Sequence, residues 1–176
     1  KSLAKDLLQQ SLGMLNPLHI DLLQKGKSLL AFSGGVDSTA LFHLLHEHHI
    51  LFDVAHVNYH TRSTSDLEAQ QVQSLALEHK QMCHIHSCTL PSENFEFFAR
   101  EERYHFFTTL CQKYGYQYLI TAHQLNDRFE WLLMQLSKGG GLPEILGMRS
   151  LEKRNTIEII RPLLNTDRGS IEAYLN

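Results

Sequence analysis

Several absences narrow the field before any motif is read. The chain has only three cysteines in 176 residues, Cys83, Cys88 and Cys111, and none stands in C-x-x-C spacing. That excludes a disulfide framework and fits a reducing, cytoplasmic setting. No run of about 18 apolar residues occurs, so no membrane partner is expected. Charge of neither sign dominates: 16 Lys and Arg face 19 Asp and Glu, a net −3. A globally basic, nucleic-acid-type surface is therefore absent, and only a local basic patch is left open. There is no internal repeat or low-complexity tract. The sequence does not begin with Met, and its first segment, KSLAKDLLQQ, reads as an amphipathic helix rather than a signal peptide. The last residues, SIEAYLN, read as a helix that the chain end interrupts. The expectation is a single domain over 1–176, short or truncated relative to its parent protein.

What is present suits a globular core: 43% apolar and 20% charged residues. Apolar runs suited to strands cover 28–32, 52–58, 82–87, 118–122 and 156–160. Helical periodicity covers 38–49, 66–79, 95–114 and 126–137. Ser65-x-x-Glu68 predicts a capping box at the second helix, and Gly115 a glycine terminator for the third. Gly139-Gly140-Gly141 is the most flexible-looking point. Strands alternating with helices predict an α/β fold, doubly wound, with a mainly parallel sheet and helices on both faces.

The first strand runs into Ser33-Gly34-Gly35-Val36-Asp37-Ser38 and then a helix. Ligands of open parallel sheets bind beyond the carboxyl ends of strands. Glycines there permit positive φ and leave backbone N–H groups bare toward an anion. Ser33, Ser38 and Thr39 add hydroxyls. A P-loop lysine is missing, and Asp37 would repel a bare phosphate, which points to a bridging Mg2+. The string resembles the SGGxDS pyrophosphate loop of the N-type ATP pyrophosphatases (the PP-loop, adenine nucleotide alpha hydrolase-like group). That resemblance implies an ATP site that releases pyrophosphate.

Three further segments match sequence patterns of one known family. In the first, His56, Val57, Asn58, Arg62, Ser65 and Glu68 match HVNHxLRxxSxxDE, with Tyr59 in place of a His. His56 reads equally well as a packed histidine near a strand end. In the second, Asn94, Glu96, Ala99, Arg100, Arg103 and Tyr104 match NxExxARxxRY. Periodicity puts Phe97, Tyr104, Phe107, Cys111 and Tyr114 on the sheet-facing side, with Glu96, Arg100 and Arg103 beside it. In the third, His123, Asp127 and Glu130 match TAHHxDDQxET, while Asn126, Arg128 and Trp131 depart from it. Here Phe129, Leu132, Leu133 and Leu136 form the expected buried stripe, with Asp127 and Glu130 opposite. Downstream, Lys138 to Met148 resembles RGxGxxGLxGM, and Arg161-Pro162-Leu163-Leu164 resembles RPLL.

Together these segments resemble the tRNA(Ile)-lysidine synthetase family, and the resemblance implies an enzyme that uses ATP to adenylate the C2 oxygen of the wobble cytidine of tRNA(Ile) bearing CAU. Free L-lysine then attacks, forming lysidine and releasing AMP. It implies catalytic roles for Asp37, Arg103, His123 and Asp127, and nucleotide binding by residues 33–38 with His56, Val57 and Asn58. Asp37 and Asp127 would hold Mg2+; Arg62, Glu96, Arg100 and Glu130 would contact substrate. Lys138, Arg149, Lys153, Arg154, Arg161 and Arg168 offer phosphate contacts for tRNA. The rival readings are a PP-loop cytidine 2-thiolation enzyme, which would need clustered cysteines, and a non-catalytic nucleotide-binding module. A homo-oligomer is left open. His43, His46, His48 and His49 lie on one helix without completing a metal set.

Overall fold

The computed structural model describes residues 14–138, 147–154 and 156–176. The amphipathic segment 1–10 and the triple glycine lie outside the described residues. In chain order the elements are α1 (Pro17–Lys25), β1 (Ser28–Ala31), α2 (Val36–Glu47), β2 (Phe52–Asn58), α3 (Ser65–Glu78), β3 (Cys83–Ser87), α4 (Phe95–Tyr114), β4 (Tyr118–Thr121), α5 (Leu125–Ser137), β5 (Leu151–Arg154), β6 (Ile157–Ile160) and α6 (Arg168–Leu175). Six strands form one sheet in the order β3-β2-β1-β4-β6-β5. All neighbours are parallel except β5 and β6.

Both faces of the sheet are covered, as the alternation of elements predicts. Successive residues of β1 point to opposite faces. Leu30 joins one core with Val54, Ile120 and Ile160, packed by α2 and α3 and closed by Leu23 of α1 and Ile171 of α6. Leu29 joins the other with Ala55, Leu119 and Ile159, packed by Phe107, Leu110 and Cys111 of α4. Central strands buried on both sides explain why β1 reads as a continuous apolar run.

Two elements escape the periodicity. α1 starts on Asn16, whose side chain accepts from the Leu18 N–H, with Pro17 in the first turn. β5 is a polar antiparallel edge strand, LEKR, without apolar alternation. Three expectations are corrected. α3 does not open with a Ser65–Glu68 box: its N-cap is Thr64, whose hydroxyl donates to the Glu68 carboxylate, while the Ser65 hydroxyl accepts from the Arg62 N–H. The box in this fold is at α5, where Gln124 and Asp127 cap each other's backbone. Phe97 is not sheet-facing but 62% exposed, because it precedes the part of α4 that lies over the sheet. The stripe on α5 is not buried either: Phe129, Leu133 and Leu136 are exposed, and α5 contributes no buried residue. Gly115 ends α4 as expected, at φ +71°.

Candidate functional site

From β1 the chain winds outward through β2 to β3, then returns so that β4 lies on the other side of β1. The crevice at this reversal, beyond the carboxyl ends of the strands, is where doubly wound folds bind ligands. A cavity of about 430 Å³ opens there, within the ~300–1,000 Å³ typical of small-molecule sites. Its walls come from the ends of β1, β2 and β4 and from α4. They include Ser33, Asp37, Ser38, His56, Val57, Asn58, Arg62, Arg100, Arg103 and His123.

The glycine loop forms one wall. Gly34 sits at φ +82°, a left-handed conformation that suits glycine. Gly35 does not share it: φ is −79°, which corrects the reading of two positive-φ glycines. An added Cβ at Gly35 would meet only Ser33 Oγ, at 3.4 Å. The fold therefore leaves room for a side chain that the sequence omits. The loop is braced internally, with the Ser38 hydroxyl donating to the Gly35 carbonyl at 3.0 Å and lying 3.1 Å from Ser33 Oγ. Gly35 is the N-cap of α2 and has no side-chain cap. The first-turn N–H groups of α2 thus have no side-chain acceptor, which leaves this terminus open to an anion. The N-terminus of α5 is different, since Gln124 and Asp127 close it.

The second wall comes from β2 and its loop. His56 is buried, and its Nδ1 donates to the Phe32 carbonyl at 2.9 Å. It therefore positions the start of the glycine loop while also lining the cavity. The Asn58 side chain is committed to its own loop: it donates to Asp66 at 2.7 Å and accepts from the His60 N–H at 2.9 Å. Tyr59 replaces a family histidine and takes a place in the cavity wall. Its hydroxyl donates to the Ala99 carbonyl of α4 at 2.9 Å, and burial pushes its pKa up to about 12 despite the nearby Arg103.

Along α4, Asn94 adopts the left-handed conformation at the N-cap, φ +55°, which asparagine tolerates. Arg100 and Arg103 reach the cavity. Among the described residues Arg100 forms no ion pair with Glu96; its guanidinium lies over the rings of Tyr104 and Trp131. Glu96 is exposed and outside the cavity wall.

His123 follows β4, with Nδ1 2.8 Å from Thr121 Oγ1. Burial, reinforced by Arg161, lowers its pKa to about 4, so the ring is neutral at physiological pH. Asp127 is half-buried and spends one oxygen on the Gln124 N–H at 2.8 Å. It does not line the cavity wall, nor does Glu130, which is exposed. Asp127 is nonetheless close enough to Asp37 to add to the burial that raises the Asp37 pKa. Asp37 Oδ1 is buried without a hydrogen-bond partner. Two neighbouring carboxylates, one with an orphaned buried oxygen, are a donor set that fits a hard divalent cation.

Two departures from the third segment have visible contacts. Arg128 donates to Asn165 at 3.0 Å; at Asn126 it is the backbone N–H, which any residue but proline supplies, that joins the Gln124 cap at 3.1 Å. Trp131 helps line a neighbouring cavity of about 460 Å³ that shares Arg100 with the first. The basic residues of the last third are less free than their number suggests. Arg161 is buried and paired with Glu152 at 2.9 Å; Arg154 also pairs with Glu152, and Arg168 with Glu172. None of the three cysteines lines the first cavity. Tyr59, Thr121 and Glu68 do, and the position of Tyr59 beside the matched Asn58 was the signal for it.

A mainly parallel, doubly wound sheet with an uncapped, glycine-led helix terminus at its switch point defines a nucleotide-binding domain of the pyrophosphate-loop class. The chain belongs to the PP-loop domain family, which matches residues 5–176. It is similar to curated proteins named tRNA(Ile)-lysidine synthase: 50% identical over 89% of this chain and 49% of the Campylobacter jejuni protein, and 47% identical over 88% of this chain and 46% of the Helicobacter pylori protein. The chain thus spans about half the length of the curated relatives it matches. Among solved structures it resembles the U34-tRNA thiolase NcsA of Methanococcus maripaludis, with TM-score 0.73 and 17% identity over 97% of this chain and 62% of that one. It also resembles an NMN synthetase from Francisella tularensis, with TM-score 0.56 and 15% identity over 95% of this chain and 67% of that one. These two likenesses show the fold.

Proposed function

We propose that this domain catalyses ATP-dependent ligation of lysine to the C2 position of the wobble cytidine of tRNA(Ile) bearing CAU, the reaction of the tRNA(Ile)-lysidine synthetases. The observation that carries the reading is the uncapped α2 terminus facing the same cavity as Arg103 and His123, in a chain about half identical to proteins of that name. In this reading the backbone N–H groups of Gly34 and of residues 36–38 receive the departing pyrophosphate, while the Gly35 N–H is held by Ser33 Oγ. Arg103 and Arg100 offset charge that develops on the phosphates. His123, held neutral, contacts the nucleotide without adding charge. Asp37 and Asp127 would hold Mg2+, which when bound neutralises the polyphosphate. The wobble base must leave its stack to enter the cavity. The lysine ε-amine must lose its proton before attacking, which a desolvated approach favours.

The thiolation reading has less support, because no cysteine lines the cavity and the relatives of high identity bear the other name. A tRNA substrate sets the reaction in the cytoplasm. The test incubates the chain with labelled lysine, ATP and tRNA(Ile) bearing CAU. Covalent lysine on the tRNA, with AMP formed in step, is the expected result. ATP binding without lysine transfer would overturn the ligase reading and leave a nucleotide-binding module; failure to bind ATP would overturn both.

A further inference from the structure

We propose that His86, Cys88 and Glu102 form a binding site for a zinc-type divalent transition ion, at the sheet edge beside the nucleotide cavity. A ring nitrogen of His86, the Cys88 sulfur and a Glu102 carboxylate oxygen all lie within 4.8 Å of one another. The His86 Nε2–Glu102 Oε1 distance is 2.7 Å, and the two side chains are 32% and 34% exposed. Tetrahedral zinc with bonds of ~2.0–2.3 Å holds its ligand atoms roughly 3.3–3.8 Å apart. An ion between them would open the His–Glu pair slightly and draw the sulfur inward. Mixed nitrogen, sulfur and oxygen donors suit zinc rather than magnesium or calcium. Three protein ligands leave a fourth position for water; on binding the thiol proton passes to solvent, and the proton that His86 Nε2 donates to Glu102 gives way to the ion, leaving the ring protonated at Nδ1.

The scaffold holds these groups firmly. His86 is in the β3 ladder opposite Val57. The Cys88 N–H donates to the Asn58 carbonyl at 3.0 Å. Glu102 lies within the 20-residue α4, and Phe106, one turn further on, stacks on the His86 ring at 5.0 Å. The His86–Glu102 pair alone would be enough to tie helix to strand; the half-buried thiol beside it is what an ion would use. Asn58 lines the nucleotide cavity, and Arg103 directly follows Glu102. An ion here fixes α4 against β3 and thereby the wall that carries Arg103. The site does not depend on which reaction the cavity performs.

The test strips the protein of metal, titrates it with Zn2+ against a chromophoric chelator, and repeats the titration with Co2+ followed by absorption. One tight equivalent per chain and a thiolate-to-cobalt charge-transfer band are expected. Cys88→Ser should remove the band and weaken Zn2+ binding by about 100-fold or more, beyond the loss typical of an outer-shell partner. His86→Ala should weaken it as well, with far-UV circular dichroism confirming that each variant is folded. His43 and His79, whose rings are 6.5 Å apart on α2 and beyond α3, provide the control: His43→Gln with His79→Gln should leave the tight equivalent intact. Absence of the band, equal affinity in Cys88→Ser, or loss of the equivalent in the His43/His79 variant would overturn the proposal.

Discussion

At the scale of single residues, the two glycines of the loop separate folding from binding. Gly34 needs its left-handed backbone, so Gly34→Ala should cost roughly 1–2 kcal/mol of stability. Gly35 has an ordinary φ and room for a Cβ, so Gly35→Ala should cost only the ~0.5–1 kcal/mol by which alanine is a poorer N-cap than glycine. It should still lose ATP affinity, because the methyl group would stand between ligand and backbone. Thermal denaturation and nucleotide titration of the two variants check this; a Gly35→Ala protein that binds ATP normally would remove the loop from the site. Motif matching treats the two glycines alike, and only backbone geometry distinguishes them. Asn58 carries the same lesson. Its identity matches the motif, but its side chain is spent on Asp66 and His60.

Among the elements, α5 is the most informative, since its apolar residues keep a helical period and yet are not buried. A period of 3.6 shows which residues share a face; it does not say what the face meets. Phe129, Leu133 and Leu136 share a face that the described residues leave open. The start of the same helix couples stability to the site. Gln124 and Asp127 form its cap, and Asp127 also bears on Asp37. Gln124→Ala should cost about 1 kcal/mol, the usual loss for an N-cap, and spare turnover. Asp127→Ala should lose the cap and abolish AMP release as well. Urea denaturation alongside an AMP assay separates the two effects, and unchanged turnover in Asp127→Ala would remove that carboxylate from the chemistry.

For the whole molecule, stability should depend on pH through its histidines. Burial lowers the pKa of His19, His46, His48, His84 and His123, the last to about 4. As pH falls below about 6.5 the unfolded chain takes up these protons first. Stability is therefore present above that value and is lost on acidification toward pH 4. Asp37 works in the opposite sense, because its raised pKa makes the folded state the better proton acceptor. Five groups outweigh one, so the urea midpoint should be lower at pH 5 than at pH 7.5, and His123→Gln should shrink the difference. An equal or higher midpoint at pH 5 would show that these rings are hydrated in solution.

The sequence by itself determined the alternating strands and helices, the doubly wound class, and the four segments that supply the site. These are local facts: apolar period, turn chemistry and residue order act over a few neighbours, and a chain of 176 residues carries them legibly. Tertiary structure decided which helix terminus stays open to an anion, that His56 braces the loop it also lines, and that Arg161 is buried with Glu152 rather than free. It also brought His86 and Cys88 of the sheet edge against Glu102 of α4. Those outcomes depend on which elements the fold brings together. No window along the chain contains that, because the partners lie 16 to 24 residues or more apart for His86–Glu102 and His56–Phe32.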